Sequence, residues 1–359
     1  MKRVWHVAAW SLAGTALLLG AACLGAGCSS LGYLAQSAAG HLDLVARARP
    51  FEAVRADAAT PEALRERLAL ALRIRDFAVR ELALPDNRSY RSYADLGRAA
   101  AVWNVVAAPE LSLQLQTWCF PVVGCVGYRG YYDRTDAEAE AAALRTRALE
   151  VSVYPVPAYS TLGKLDWLGG DPVLNTFVHW PEGELARLVF HELAHQVVYA
   201  AGDTTFNESF ATAVERLGVQ RWLAAHAGEA ARREYAALEA RREDFRALTG
   251  RTRAQLQALY ASAGPEADKR ARKAEILAAM RADHARLKAE RWGGFAGYDG
   301  WFERANNASL GVLAAYNAQV PDFERLFERE GRDFGRFYAA VRRLAALPAG
   351  ERHATLAAP

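Results

Sequence analysis

The chain has 359 residues, of which 52% are hydrophobic, and this supplies enough apolar surface for one large domain or two smaller ones. The same composition argues against intrinsic disorder. The 44 Lys and Arg nearly balance the 41 Asp and Glu, so the net charge of +3 gives no general electrostatic case for a nucleic-acid partner.

The first 27 residues have the layout of a secretory signal peptide. Lys2 and Arg3 precede residues 4–27, which contain no Lys, Arg, Asp or Glu and end in small residues. We therefore predict a signal peptide over 1–27. The alternative is an uncleaved membrane helix, for which the apolar run is long enough.

The end of this segment, Leu24-Gly25-Ala26-Gly27-Cys28, resembles a bacterial lipobox. That resemblance implies cleavage before Cys28 and lipidation of this cysteine. The mature chain would then be a lipoprotein of the bacterial cell envelope that faces the periplasm. Ser29 after the cysteine favours the outer membrane.

Two cysteines remain in the body of the chain, Cys119 and Cys125. In an oxidising compartment we expect them to form a disulfide that closes a short loop. A zinc site at this pair is disfavoured, because no histidine cluster lies nearby in the sequence.

The first half of the chain predicts two helices and then a small sheet. The helices cover Tyr33–Arg47 and Thr60–Leu84. Strands are expected at Val102–Val106, Leu111–Trp118, Val122–Tyr132 and Val151–Tyr154. Before the last strand, Thr135 and Glu138 suggest a capping box that opens a helix to about Leu149.

The second half predicts helices almost throughout. A helix begins at Trp180-Pro181-Glu182, runs through Val198 and has Gly202 placed as its C-cap, and another starts at Phe206. Residues 221–292 are expected to form a long helical hairpin arm, interrupted at Gly250 and Gly264, and a last helical stretch covers Asn306–Leu347. The fold class is therefore α+β and predominantly helical, with residues 28–359 as one domain.

His191-Glu192-Leu193-Ala194-His195 forms an H-E-x-x-H pattern inside a predicted helix. Residues four apart share a helical face, so both imidazoles can bind one Zn²⁺ while Glu192 acts as general base on an activated water. Random placement of 8 His and 41 acidic residues gives about 0.02 such patterns. The alternative, an amphipathic helix with two ordinary histidines, would leave them in an apolar segment without partners.

A catalytic zinc needs a third protein ligand. Glu208 is the best candidate, because Asn207-Glu208-Ser209-Phe210-Ala211 opens a second helix after a short turn and can fold back on the first. Asp203 and Glu215 are the fallback ligands. Two imidazoles and one carboxylate suit zinc, with one ion per chain.

The histidine pattern followed by Asn207-Glu208-Ser209-Phe210-Ala211 resembles the gluzincin metallopeptidases, whose third ligand is a Glu in this context. The twelve residues between His195 and Glu208 make a shorter connection than in the familiar gluzincins. A wider resemblance, to a bacterial lipoprotein family of predicted zinc aminopeptidases, rests on residues 27–33, 119–125, 127–131, 157–163 and 171–176. It implies a zinc aminopeptidase in the cell envelope.

Further residues are candidates for supporting roles. Glu215, seven residues after Glu208, is a candidate to orient a metal-binding histidine, whereas Thr212 stands where many gluzincins have an Asp. Tyr128, Tyr316 and His179 are candidates to donate a hydrogen bond to the oxyanion of the reaction.

Substrate binding is less well specified. Residues 127–132 are a candidate edge strand along which a peptide aligns, with a disulfide-braced hairpin as the alternative. The Gly-x-Met-x-Asn motif of the known gluzincin aminopeptidases is absent. The candidates for the anion that binds the substrate ammonium are therefore acidic residues, each with a helix cap or a surface group as its alternative role: Asp133, Asp136, Asp166 and Asp171.

The sequence thus predicts a zinc-dependent hydrolase of peptide bonds, an aminopeptidase by resemblance. A zinc endopeptidase on the same site is one alternative, which a blocked substrate N-terminus would distinguish. A non-catalytic envelope scaffold with structural zinc is the other, and it does not account for Glu192. The oligomeric state is not predicted.

Overall fold

The computed structural model describes residues 28–120, 124–158, 161 and 169–358, without the side chains of 28–31 and 314–317. The predicted signal peptide and the side chain of Cys28 lie outside this description.

Internal contacts divide the chain into two compact units, with the boundary between Ala46 and Arg47. The first part holds helix α1 (Cys28–Arg47), which confirms the first predicted helix and starts five residues earlier. No helix among the described residues has both the length and the apolarity to cross a membrane.

The second part is α+β and predominantly helical, as predicted. Its strands are β1 (Arg49–Pro50), β2 (Ser92–Ala94), β3 (Val102–Pro109), β4 (Trp118–Phe120), β5 (Gly124–Val126), β6 (Arg129–Tyr131), β7 (Leu149–Val156) and β8 (Val173–Leu174). Its first helices are α2 (Phe51–Ala56), α3 (Glu62–Leu82), α4 (Arg134–Arg145), α5 (Glu182–Ala194) and α6 (Thr204–His226). The later helices are α7 (Glu229–Ala261), α8 (Glu266–Glu290), α9 (Asp299–Arg304), α10 (Asn307–Asn317), α11 (Val320–Arg329), α12 (Phe334–Ala345) and α13 (Ala349–Ala357).

The strands of the described residues form three small sheets, ordered β1-β2-β8, β6-β3-β7 and β4-β5. In the second sheet, β3 is central and antiparallel to both neighbours, with Asn104 opposite Gly130 on β6 and Tyr154 on β7. The strand predicted at Val102–Val106 is confirmed and continues to Pro109.

The strand predicted at Leu111–Trp118 is wrong except at its last residue. Ser112 instead turns the chain, because its amide bonds to the Pro109 carbonyl and its hydroxyl accepts from the Gln114 amide. Such local side-chain bonds compete with a ladder. The Gln116 amide does bond to the Ala107 carbonyl at 2.8 Å, beyond the β3 residues that pair with β6, but among the described residues this bond does not extend into a ladder.

The predicted capping box of α4 is also wrong. The N-cap is Asp133, whose carboxylate accepts a hydrogen bond from the Thr135 amide at 2.6 Å. An Asp at this position satisfies an N-terminal amide that the helix itself leaves unpaired. The helix ends at Arg145, four residues before the predicted limit, because Leu149 already belongs to β7.

The predicted helical hairpin forms as α7 and α8, with its break at residues 262–265 and none at Gly250. It differs from a solvated arm, because its inner face packs against α9 and α10 in one apolar cluster. Members of this cluster are Phe245, Leu248, Leu256, Ile276, Leu277, Met280, Trp292, Phe302 and Leu310. The hairpin is therefore part of the body of the protein.

The last predicted stretch, Asn306–Leu347, is three helices, α10 to α12. Helix α11 ends where Gly331 and Arg332 adopt positive φ angles of 70° and 58°. Helix α12 ends at Ala345, before Pro348, and Pro348 occupies the N-cap of the next helix, α13. Proline suits this place because its missing amide is one that a helix start leaves unbonded.

Helix α10 packs against the β6-β3-β7 sheet on one side and against α6 on the other. Asn306 donates to the Val151 carbonyl at 3.1 Å, and the Asn307 side chain donates to the Pro109 carbonyl at 3.0 Å. The Asn307 amide also bonds to Glu150 at 2.7 Å. These bonds fix the start of α10 to two strands and so place the sheet beside α6.

Candidate metal centre

Helix α5 presents two histidines at its C-terminal end. His191 and His195 are four residues apart, their ring centroids are 4.8 Å apart, and their Nε2 atoms are 3.2 Å apart. The helix ends at Ala194, earlier than predicted, with His195 at its C-cap. The amide of His195 still donates to the His191 carbonyl at 3.4 Å, so the helical spacing of the two rings is kept. The helix is anchored by a buried apolar stripe of Leu185, Val189, Phe190 and Leu193.

The connection from α5 to α6 is fixed by an asparagine of the predicted motif. The Asn207 side chain accepts from the Ala200 amide and donates to the Ala200 carbonyl, both at 2.8 Å. This pair of bonds folds the chain back within a few residues of α5. Asn207 is buried, so its exact amide geometry is needed to satisfy both backbone groups.

A disulfide-braced hairpin supports the same connection. Cys119 and Cys125 form the predicted disulfide, which joins β4 to β5. Gly124 on this hairpin approaches Gly202 so closely that a Cβ on Gly124 would lie 2.6 Å from the Gly202 nitrogen. Only a residue without a side chain permits this approach. The hairpin thus contacts the turn between the two helices of the site.

The start of α6 places Glu208 against both histidines. Its Oε2 lies 3.3 Å from Nε2 of His191 and 3.6 Å from Nε2 of His195. A tetrahedral zinc ion with bonds of about 2.05 Å holds its ligand atoms about 3.3 Å apart. The three observed separations of 3.2, 3.3 and 3.6 Å therefore match three edges of such a tetrahedron.

Glu215 orients His191 from the other side of its ring. Oε2 of Glu215 lies 2.8 Å from Nδ1 of His191, and since a carboxylate only accepts, Nδ1 carries the proton. Nε2 of the neutral ring then keeps its lone pair for a metal. The second carboxylate oxygen of Glu215 accepts from Nε of Arg187 at 2.7 Å. The hydrogen bond that orients His191, for which Thr212 replaces the Asp of many gluzincins, is therefore made by Glu215.

Charges around His191 favour a cation at this position. Burial opposes the charged imidazole, but hydrogen bonds with Glu208 and Glu215 outweigh it and raise the pKa of His191 to about 10. Burial also opposes both carboxylates, yet His195 lowers the pKa of Glu208, and Arg187 that of Glu215, to about 2. A divalent ion can take the place of the imidazole proton. The donor set fits zinc in number, type and spacing.

Glu192 lies next to the metal cluster, the name used here for the candidate ligands His191, His195 and Glu208, and is half-buried. Burial raises the pKa of its carboxyl group, and the neighbouring charges of His191 and His195 oppose this rise. A carboxylate with a raised pKa accepts a proton more readily near neutral pH, as a general base must.

The fallback ligand Asp203 is engaged elsewhere. It caps α6 by accepting from the Phe206 amide at 3.1 Å, and it pairs with Arg352 and with Nε2 of His353. The other fallback ligand, Glu215, bonds to the outer nitrogen of His191, as described above. Neither side chain joins the group of donors formed by His191, His195 and Glu208.

The three candidate oxyanion donors lie in different parts of the fold. His179 is exposed and lies before the start of α5. The part of this helix between Glu182 and His191 is roughly 14 Å long and separates the two histidines. Tyr128 is half-buried and packs with Tyr154 against a small cluster between the sheet and α10. The side chain of Tyr316 lies outside the described residues, although its backbone belongs to α10.

The acidic candidates for the substrate ammonium mostly have structural roles. Asp133 caps α4, and Asp136 is an exposed residue in its first turn. Asp171 is buried and accepts from the Thr161 amide at 3.1 Å. Asp166 lies outside the described residues. The residue that binds the amine therefore stays unassigned.

Two tyrosines near the site, half-buried Tyr154 and buried Tyr90, were not singled out by the sequence. Burial raises the pKa of Tyr154 to about 12, and the charge of Glu208 adds to the rise. Burial also raises the pKa of Tyr90, with further contributions from Glu192 and Asp171. The Tyr90 hydroxyl has no hydrogen-bond partner among the described residues. Tyr154 lies on a predicted strand, but only the pairing of β7 with β3 brings it to Glu208.

The model of a protein family described as putative aminopeptidase matches residues 32–356. The chain belongs to this family. No curated protein and no solved structure matches the chain. Membership of the aminopeptidase family confirms the broader part of the resemblance seen in the sequence, whereas lipidation and the likeness to gluzincins stay predictions. The matched range includes the candidate metal ligands His191, His195 and Glu208, both helices that carry them and the α7–α8 hairpin.

Proposed function

We propose that the protein is a zinc-dependent aminopeptidase in which His191, His195 and Glu208 bind one Zn²⁺. The observation that carries the proposal is the convergence of two imidazole nitrogens and one carboxylate oxygen within 4.8 Å of one another. Membership of the aminopeptidase family supports a peptide as substrate. A bound zinc ion would acidify a water molecule and polarise the scissile carbonyl group.

The surrounding residues have separate roles in this proposal. Glu192 takes the proton of the attacking water and later delivers it to the leaving amine, for which its raised pKa suits it. Glu215 keeps the ring of His191 in the tautomer and orientation that metal binding needs. Arg187 in turn holds the Glu215 carboxylate in its ionised form.

The proposed location is the bacterial envelope, with a lipid anchor on Cys28 facing the periplasm. The motif ending at this cysteine supports the proposal. A Cys28→Ser variant should lose the lipid, which intact-mass measurement and detergent partitioning would detect. Partitioning of the variant into detergent exactly as the unchanged protein does would contradict the anchor.

The decisive test combines metal content with cleavage of matched peptides. The protein should bind one zinc per chain and release the first residue from free peptides but not from their N-acetylated forms. Glu192→Gln should keep the zinc and lose activity by about 10²-fold or more, because the base is gone. Glu351→Gln removes an exposed glutamate of α13 and should change neither.

The other outcomes separate the alternatives. Equal cleavage of the acetylated peptides would indicate an endopeptidase on the same site. One bound zinc without any hydrolysis would indicate a scaffold with structural metal. Absence of metal binding would refute the proposal at its first step.

A further inference from the structure

A cavity of about 340 Å³ is lined by Arg187, the arginine that bonds to Glu215. Helices α5, α6 and α7 supply most of its wall, and Leu313 and Tyr298 close it with apolar surface. Its volume is at the lower end of the range for small-molecule sites, which is roughly 300–1,000 Å³. Five arginines line it: Arg187, Arg216, Arg242, Arg246 and Arg253.

Three of these arginines are neutralised by a chain of carboxylates. Glu215 and Glu184 flank Arg187 at 2.6 and 3.6 Å. Glu184 also accepts two bonds from Arg242, at 2.7 and 2.8 Å. Beyond it, Glu239 bonds to Arg242 and, at 2.6 Å, to Arg246. Three carboxylates thus balance three guanidinium groups along one side of the cavity.

Of the remaining two arginines, Arg253 leaves the cavity with excess positive charge. Arg216 is paired with Glu324 at 3.7 Å. Arg253 makes no ion pair within the described part of the chain, and its Nε is buried without a hydrogen-bond partner there. A half-buried guanidinium group without a counter-charge is unfavourable unless a ligand completes it.

We propose that this cavity binds a small oxyanion, a phosphate or carboxylate group, through the guanidinium group of Arg253. Guanidinium groups bind both of these anions through paired, charge-assisted hydrogen bonds. This site is separate from the donors of the metal cluster and does not depend on peptidase activity.

The test measures anion binding directly on the full chain, with and without zinc. Inorganic phosphate and acetate are titrated by calorimetry at constant ionic strength, with sodium chloride as the reference salt. We expect one anion per chain. Arg253→Gln should weaken binding by about 10-fold to 100-fold, the size of a lost charge-assisted bond. Arg251→Gln removes an exposed arginine two residues away on the same helix and should leave binding unchanged.

Thermal unfolding separates a binding role of Arg253 from a structural one. If Arg253 serves to bind an anion, Arg253→Gln should unfold without phosphate at the same temperature as the unchanged chain or at a higher one. With phosphate, the unchanged chain should be stabilised and Arg253→Gln should not. Preference for phosphate or for acetate identifies which oxyanion the site takes. No saturable binding of either anion, or equal weakening by Arg251→Gln, would overturn the proposal.

Discussion

Glu215→Gln isolates the contribution of the buried carboxylate that orients His191. The change keeps the size of the side chain but removes the charge that faces both Nδ1 of His191 and the guanidinium of Arg187. Loss of a partner behind a metal-binding histidine typically weakens metal affinity 10-fold to 100-fold. We expect the zinc dissociation constant of Glu215→Gln to rise by this factor, measured by competition with a chromogenic chelator.

The same variant has a pH-dependent effect on the metal-free chain. A folded pKa of about 2, against 4.5 for an ordinary Glu, corresponds to about 3 kcal/mol of stability at neutral pH. Since the folded pKa is depressed, this stability is present above pH 4.5 and is lost as the pH falls towards 2. The difference in unfolding free energy between the two proteins should therefore shrink over that range.

Glu138→Gln is the matched control, because Glu138 also faces arginines, at 3.9 and 4.0 Å, but its side chain is 44% exposed. Exposed pairs of this kind contribute between nothing and about 1 kcal/mol. The reasoning would be refuted if Glu215→Gln, still folded by circular dichroism, bound zinc within a factor of three of the unchanged chain.

Three further predictions concern the same region. Zinc affinity should rise with pH by up to about tenfold per unit between pH 6.5 and 10, because His191 must lose its proton to bind metal; a flat profile in chelator competition would argue against His191 as a ligand. Gly124→Ala should destabilise the chain in denaturant unfolding by more than Gly97→Ala, since both glycines have positive φ but only Gly124 approaches backbone atoms; equal losses would exclude contact with the turn before α6. Asp203→Asn should lower the unfolding temperature and keep the zinc, because Asp203 pairs with basic side chains and caps a helix; metal loss would return it to the ligand set.

The helix pair of the candidate site could be predicted from the sequence because its signals are local. His191 and His195 are one helical turn apart, so any helix brings them together. Glu208 needed only a short turn, and the bonds from Asn207 to Ala200 show why that turn is tight. Glu215 followed from its helical spacing after Glu208, and the disulfide from the two remaining cysteines.

The errors occur where the outcome depends on a distant partner. Residues 111–117 carry the composition of a strand, but β3 forms its ladders with β6 and β7, which come later in the chain, while Ser112 turns the segment and Gln116 makes a single bond to Ala107. The importance of Tyr154 near Glu208 depends on how α10 places the sheet beside α6. No pattern within either segment contains that information.

The charges of the α7–α8 hairpin could likewise not be placed from the sequence, because they too depend on distant partners. Acidic and basic residues alternate along α7, and such interleaving is typical of a solvated helix face. Arg242, however, turns towards Glu184 on α5, which also faces Arg187. The sequence gives the charges of α7 but not the carboxylates of α5 that select which of them point inward.

This ion-pair chain joins the hairpin to the metal cluster. It runs from His191 through Glu215, Arg187, Glu184 and Arg242, so each internal charge has a partner of opposite sign on either side. Removing one internal member would take one counter-charge from each of its two neighbours in a partly buried region, which costs more than losing an exposed pair. The position of His191 thus depends on residues of α7 some 50 positions later in the chain. Because the α7–α8 hairpin is tied to His191 in this way, it supports the candidate metal ligands structurally. We expect His191, His195 and Glu208 to lose their ordered arrangement when the hairpin is removed.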